Sequence, residues 1–127
     1  MKIYHGIDIV EIGKFRTIAG RHERMLDDVF TDEERRYCHA QADPLLHFAG
    51  RFAAKESCLK ALGIGLSAGV DAVLGEIGVR SGPSGKPSLA FSGWAAGIVQ
   101  RKKIGDAVVT ISHSGNYAVA SVILVGL

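Results

Sequence analysis

The stretch that most restricts the fold of this chain lies between Asp43 and Gly65. Asp43 followed by Pro44 has the form of an N-cap with proline at the first helical position, and Gly63 and Gly65 stand where a helix ending near Leu62 would close. At about 100° per residue, Leu45, Phe48, Phe52, Leu59 and Leu62 share one arc, so the segment predicts a central core helix. Three charges interrupt it between Phe52 and Gly63. Lys55 falls inside the arc of Phe48, Phe52 and Leu59, Glu56 falls at its other edge, and Lys60 follows one turn later. Glu56 and Lys60, four apart with the acid first, suit a surface ion pair worth about 0.2–0.5 kcal/mol. Charges bordering an apolar stripe usually reach for water, but they can also line a cleft beside the core. The wheel alone leaves both readings open.

The segments around this helix predict an α+β domain. Residues 2 to 12 (KIYHGIDIVEI) read as a strand, and Phe15 to Ala40 as two or three short helices broken at Gly20. Within them Thr31 and Glu34 have the spacing of a capping box. Residues 76 to 81 and 88 to 91 read as strands joined by the turn-forming GPSGKP, and Ser92 to Lys103 as a short helix capped by serine. The strands 107 to 113 and 117 to 125 form a hairpin across Ser114, Gly115 and Asn116. With 127 residues and no internal repeat, one domain spanning 1–127 is expected.

Composition removes several classes of function. The apolar segments are too short and interrupted to span a bilayer, and the N-terminus lacks the pattern of a secretory leader, so no membrane partner and a cytoplasmic location are expected. Cys38 and Cys58 form no metal-binding spacing and are expected to be free thiols. A net charge of +2 argues against a nucleic-acid partner. The charge is uneven, however: Lys14, Arg16, Arg21 and Arg24 face only Glu23 within residues 13 to 25. Such a patch is either a solvated helix face or a landing surface for an acidic partner.

One residue in the first strand is out of place. On a period of two, Asp8 shares its side with Tyr4, Val10 and Ile12, where a carboxylate needs donors, a cation or a way out to solvent. A bulge after Gly6, or pairing with Arg51 or a lysine, would provide that ordinarily. If instead Asp8 and Glu56 converge, oxygen ligands without cysteine point to magnesium. The glycine-rich segments carry no nucleotide fingerprint. GIGLSA at 63 to 68 follows a helix rather than a strand, and Gly85-Lys86 is followed by Pro87 where a P-loop needs Ser or Thr. His113, flanked by Ser112 and Ser114, suits either a solvent-facing hairpin mouth or a small anion cradle. Nothing marks a covalent nucleophile.

Taken together, GIDIVEI at 6 to 12, RFAAKESxxKALG at 51 to 63, GKP at 85 to 87 and SHSxxYA at 112 to 118 resemble the holo-[acyl-carrier-protein] synthase family. These are the small 4'-phosphopantetheinyl transferases. The resemblance implies that family's fold, an antiparallel sheet packed on a long central helix. It also implies transfer of the 4'-phosphopantetheine arm of coenzyme A to a serine of apo acyl carrier protein in fatty acid synthesis, releasing adenosine 3',5'-bisphosphate. By the same resemblance Asp8 and Glu56 would hold magnesium, with Lys60 beside them as the third catalytic residue, aimed at the same phosphates. Arg51, Lys86, Pro87, Ser112, His113 and Ser114 would contact the nucleotide end of coenzyme A together with Lys60. Lys14, Arg21 and Arg24 would dock the acidic carrier protein, with lysine at 14 where arginine is frequent, which keeps charge but loses bidentate pairing. The implied assembly is a homotrimer with active sites between subunits, to which the apolar VASVILVGL is suited as interface or as core.

The base that deprotonates the carrier serine is left open between Glu56 and a metal-organised water. Two alternatives accompany this reading. A non-catalytic coenzyme A-binding module predicts damage at the metal pair, whereas Asp8, Glu56 and Lys60 are all present. The same chemistry on a polyketide or peptide synthetase carrier is usually performed by relatives about twice this length.

Overall fold

The computed structural model describes residues 1–64 and 70–127. In chain order they form β1 (Lys2–Glu11), α1 (Ile12–Arg21), α2 (Met25–Val29), α3 (Asp32–His39), α4 (Pro44–Leu62), α5 (Val70–Leu74), β2 (Ile77–Ser81), β3 (Pro87–Phe91), α6 (Gly93–Arg101), β4 (Ile104–Ser114) and β5 (Tyr117–Gly126). The order matches the expectation from the sequence except for α5, which nothing in its few residues announces. The part of GIGLSA from Gly65 on, including the proposed second stop at Gly65, lies outside the described residues.

Antiparallel pairing builds one sheet in the order β1-β5-β4, and β2 and β3 make a separate hairpin. α4 lies across the inner face of the larger sheet. Strand alternation drives this packing: Ala118, Ala120, Val122 and Leu124 of β5 point at the helix and are buried, while Tyr117 and Ile123 point away. The C-terminal strand therefore feeds the core with one side and an exposed face with the other.

Helix α4 is buried almost all round, more completely than one apolar arc predicts, because its small residues Ala49, Ala53, Ala54 and Ala61 allow neighbours close on every side. Gly63 closes it in the left-handed conformation at φ +73°. Asp43 occupies the N-cap position without capping; its carboxylate is taken instead by Arg16, at 3.0 and 2.6 Å. The close approach is tightest at Gly6 of β1, where a Cβ would stand 1.8 Å from the Ser57 carbonyl oxygen. Only glycine fits there. The Ser57 hydroxyl lies 2.7 Å from Ala53 O and 2.9 Å from Ala120 O, tying α4 to β5 as well.

The expected capping box forms: Glu34 N donates to Thr31 Oγ1 at 3.2 Å and Thr31 N to Glu34 Oε1 at 2.8 Å. Glu34 has a second task. Fully buried, it pairs at 2.7 Å with Lys55, whose ammonium also donates to Leu74 O at 2.8 Å and Ile77 O at 2.7 Å. Val79 N donates to the other Glu34 oxygen at 3.0 Å. Lys55 thus neither reaches water nor lines a cleft. It fastens α4 to α3, α5 and β2, and every polar atom of the pair has a partner, as burial requires.

Candidate active site

Asp8 keeps the inward side of β1 with no bulge, since the β1–β5 register is continuous from Lys2↔Gly126 to Glu11↔Tyr117. Its carboxylate is met by Lys60, 2.9 Å away, and the same ammonium donates to Ile7 O at 3.1 Å. Lys60 therefore pairs with Asp8 rather than with Glu56, so of the two readings left open by the helical wheel the surface pair along the helix does not form. Glu56 is 9% exposed and has no hydrogen bond to another described residue. Burial pushes its carboxyl above the ordinary range, the nearby Asp8 and Asp71 charges push the same way, and Lys60 opposes them. Two carboxylates thus converge with one lysine between strand and helix, and the one left unpartnered is electrostatically uncomfortable.

Glu56 also lines a cavity of about 660 Å³ between α1, α2, α4 and α5, walled by Ile18, Met25, Phe52 and Leu74. Arg24, Asp28 and Asp71 supply its polar rim. Of these lining residues the sequence singles out only Glu56 and Arg24; Phe52 and Asp71 are the two nearest in kind to site residues that it does not mark. Phe52 reads there as core, and Asp71 lies in α5, whose presence the sequence does not announce.

A second, basic cluster lies at the N-terminal half of α4. Arg51 is 5% exposed, stacks 4.1 Å over the Tyr37 ring and donates to Ser81 Oγ at 2.6 Å, while its Nε has no partner. Ser81 stands opposite Pro87 in the β2–β3 register, so Arg51 joins α4 to the hairpin end that carries Lys86 and Pro87. These two residues line a separate cavity of about 500 Å³ with Gly82, Asp106 and Val108. His113, near the end of β4, is close enough to His47 on α4 to repel its proton. Ser112 and Ser114 flank His113 and are exposed with it. The structure brings Arg51 and His113 into one neighbourhood with His47, a residue the sequence reading passed over. The available signal was its place four residues before Arg51, on the same side of the helix.

Of the three docking candidates, Lys14 lies 3.7 Å from Glu11 and is largely exposed, and Arg21 and Arg24 are exposed with no ion pair among the described residues. Arg16 is occupied by Asp43, which lowers the carboxyl of that aspartate through the hydrogen bond. Cys38 and Cys58 are free and buried, and burial raises their thiols to about 11 and about 12, so neither is a nucleophile at neutral pH. No helix among the described residues is long and apolar enough to cross a membrane.

The 4'-phosphopantetheinyl transferase superfamily matches residues 5–121 of the chain. A holo-[acyl-carrier-protein] synthase of Syntrophotalea carbinolica is 42% identical over 123 residues, covering 95% of this chain and 94% of that one. Its counterpart in Syntrophus aciditrophicus is 42% identical over 123 residues, covering 96% and 94%. Among solved structures, the Chronobacterium ammoniagenes ACPS-CoA complex superposes with a TM-score of 0.84 at 30% identity, covering 98% of this chain and 97% of that one. A Bacillus anthracis holo-(acyl-carrier-protein) synthase in complex with CoA (3',5'-ADP) gives 0.77 at 30% identity, covering 98% and 96%.

Proposed function

The chain belongs to the 4'-phosphopantetheinyl transferase superfamily, and on that premise we propose that it transfers 4'-phosphopantetheine from coenzyme A to a serine of apo acyl carrier protein, releasing adenosine 3',5'-bisphosphate. The observation that carries the reading is the meeting of Asp8 and Glu56, with Glu56 buried, unpaired and beside a cavity.

That carboxylate pair fits magnesium: both donors are hard oxygens, their mutual repulsion calls for a cation, and magnesium is commonly held by one or two carboxylates with substrate phosphates and waters completing its shell. Asp8 and Glu56 would hold it, and when bound it supplies positive charge to the diphosphate as the leaving nucleotide gains charge. Lys60, now on Asp8, is half exposed and carries a flexible ammonium that can serve the phosphates as well. The serine proton leaves through Glu56 or through a water organised by the metal. The amphipathic cavity next to it suits a pantetheine chain with its amides.

The basic cluster would take the nucleotide. Arg51 and Glu56 are five residues apart on α4, which sets them about 140° apart around the axis, so in one chain the two clusters face different ways. A second copy would complete each site. The outer face of the larger sheet offers a surface for that contact: Ile3, Ile7 and Ile9 of β1 are 63%, 57% and 63% exposed beside Val108, Tyr117 and Ile123. We read the assembly as a homotrimer with shared sites, in the cytoplasm, where two unpaired thiols are at home. Light scattering should give three copies, and Ile9→Arg should give a monomer at least tenfold less active. An active monomer would exclude shared sites.

Arg21 and Arg24 would dock the acidic carrier. Reversing both charges should raise the KM for carrier protein about five- to tenfold, the scale of ~1 kcal/mol, and leave the KM for coenzyme A alone. An unchanged carrier KM places docking elsewhere. The function itself is tested by intact-mass spectrometry of apo acyl carrier protein incubated with this protein, coenzyme A and magnesium. One added phosphopantetheinyl group, absent with chelator, is the expected result; coenzyme A binding without transfer would make the protein a binding module.

A further inference from the structure

We propose that His5, hydrogen-bonded to Ser121 on the outer face of the larger sheet, makes the assembly of copies of this chain depend on pH. The face joins copies while the imidazole is neutral and releases them once it is charged. This rests on the shared-site reading above and adds to it the residue that governs assembly.

Strand alternation decides what this face contains. The register sets His5 opposite Ile123 and Ile7 opposite Ser121, and β4 extends the two rows with Val108 and Thr110. Ile3 and Ile7 flank His5 along β1 and are exposed with it, while α4 packs on the opposite side of the sheet. Isoleucine left open in this quantity marks a surface that another molecule covers. A second copy is the occupant that also answers the separation of Arg51 from Glu56 around α4, since it brings the missing half of each site with it.

His5 is the exception among these side chains. Its Nε2 lies 2.9 Å from Ser121 Oγ, and Nδ1 has no partner among the described residues. The groups facing it are Ile3 and Ile7 on β1 and Ser121, Ile123 and Val125 on β5, none of them charged. The acids of this face stand at its margins and are engaged there: Asp106 on β4 accepts from its neighbour Ala107 N at 2.9 Å, and Glu11 at the far end of β1 lies 3.7 Å from Lys14. A neutral imidazole suits an apolar seam, with Ser121 on one nitrogen and the other left to a polar group of the second copy. A charged one does not. It would be shut among the isoleucines of two copies without a carboxylate, and each copy would add one such charge to the assembly.

The sign follows directly. Only the open face accommodates the charged ring, so assembly releases protons and weakens as pH falls through the range in which histidines titrate, about pH 8 to 5. Several copies each contribute one proton, which makes the dependence steep.

Sedimentation velocity of the full chain, without coenzyme A or metal, from about pH 7.5 down to about pH 5.5 at constant ionic strength, tests this without requiring turnover. The concentration of half-assembly should rise at least about tenfold over that interval for the wild type. His5→Leu, and His5→Gln, which keeps a hydrogen-bonding group for Ser121 without the charge, should stay assembled throughout. His5→Lys carries its charge at every pH of the series and should be a folded monomer at its upper end, with a cooperative thermal melt. The same response to pH in the wild type and in both neutral variants would overturn the role of His5. So would an assembly indifferent to pH, or a His5→Lys protein that assembles like the wild type; each of these leaves the shared-site reading standing. A wild type that is monomeric at every pH and still modifies the carrier would overturn the shared-site reading and this proposal together.

Discussion

Lys55→Ala lowers the thermal midpoint by about 12–20 °C, because removing one partner of a buried ion pair costs about 3–5 kcal/mol in a domain of this size. The loss is large for a specific reason. Glu34 would remain fully buried as an unpaired carboxylate, and Leu74 O and Ile77 O would each lose a donor. Glu34→Ala has the matching effect from the other side, stranding the ammonium and freeing Thr31 N and Val79 N. Replacing both by apolar residues loses less than the two single losses added together, since no charge is left behind, but it does not restore the wild-type midpoint, because the backbone groups served by the pair still lack partners. Thermal melts of the two single variants and the double variant check this. A double variant as stable as wild type would show that the four backbone contacts carry nothing.

Glu56→Gln reduces transfer by at least about a thousandfold, the loss expected when several kcal/mol of charge stabilisation disappear. Asp8→Asn does the same. Yet in magnesium-free buffer at neutral pH, Glu56→Gln should melt no lower than wild type and somewhat higher. The sign follows from the raised carboxyl: the unfolded chain gives up this proton at a lower pH than the folded protein, so wild-type stability falls as pH rises through the interval between the two values. Glutamine carries no such deficit. The gap between variant and wild type should close below about pH 4, where the carboxyl is protonated in both states. Added magnesium should raise the wild-type midpoint and leave that of Glu56→Gln nearly unmoved. Retained turnover in either variant at saturating magnesium would dismiss the metal assignment, and a Glu56→Gln protein that melts far below wild type would mean that this carboxylate is structural.

Much of this arrangement is legible in the sequence because it depends on local rules. The alternation in β1 put Asp8 on the inward side, and the helical wheel put Glu56 at the edge of the apolar arc, so the pair could be suspected before any fold was known. Thr31 and Glu34 announced their capping box in the same way. What stayed hidden depends on partners far away along the chain. Glu34 reads fully as a capping residue, and nothing local says that its other oxygen meets Val79 or that Lys55, 21 positions on, will bury itself against it. Lys60 offers both Glu56 and Asp8 a positive charge, and only the crossing of β1 over α4 decides for Asp8. His47 looks like one more half-buried helix residue until α3 and β4 bring Tyr37 and His113 to it.

The missing side chain at Gly6 has a consequence for how the enzyme can vary. Gly6 stands two residues before Asp8 and meets the carbonyl of Ser57, the residue after Glu56, so the distance between the carboxylates is gauged by main chain resting on main chain. Repacking elsewhere around α4 can trade one hydrophobic side chain for another and change how firmly the domain holds together without resetting that gauge. A single methyl group at Gly6 cannot be absorbed in this way. It would act as a spacer, and the gap between the two acids would be reset by an atom that never comes near either of them.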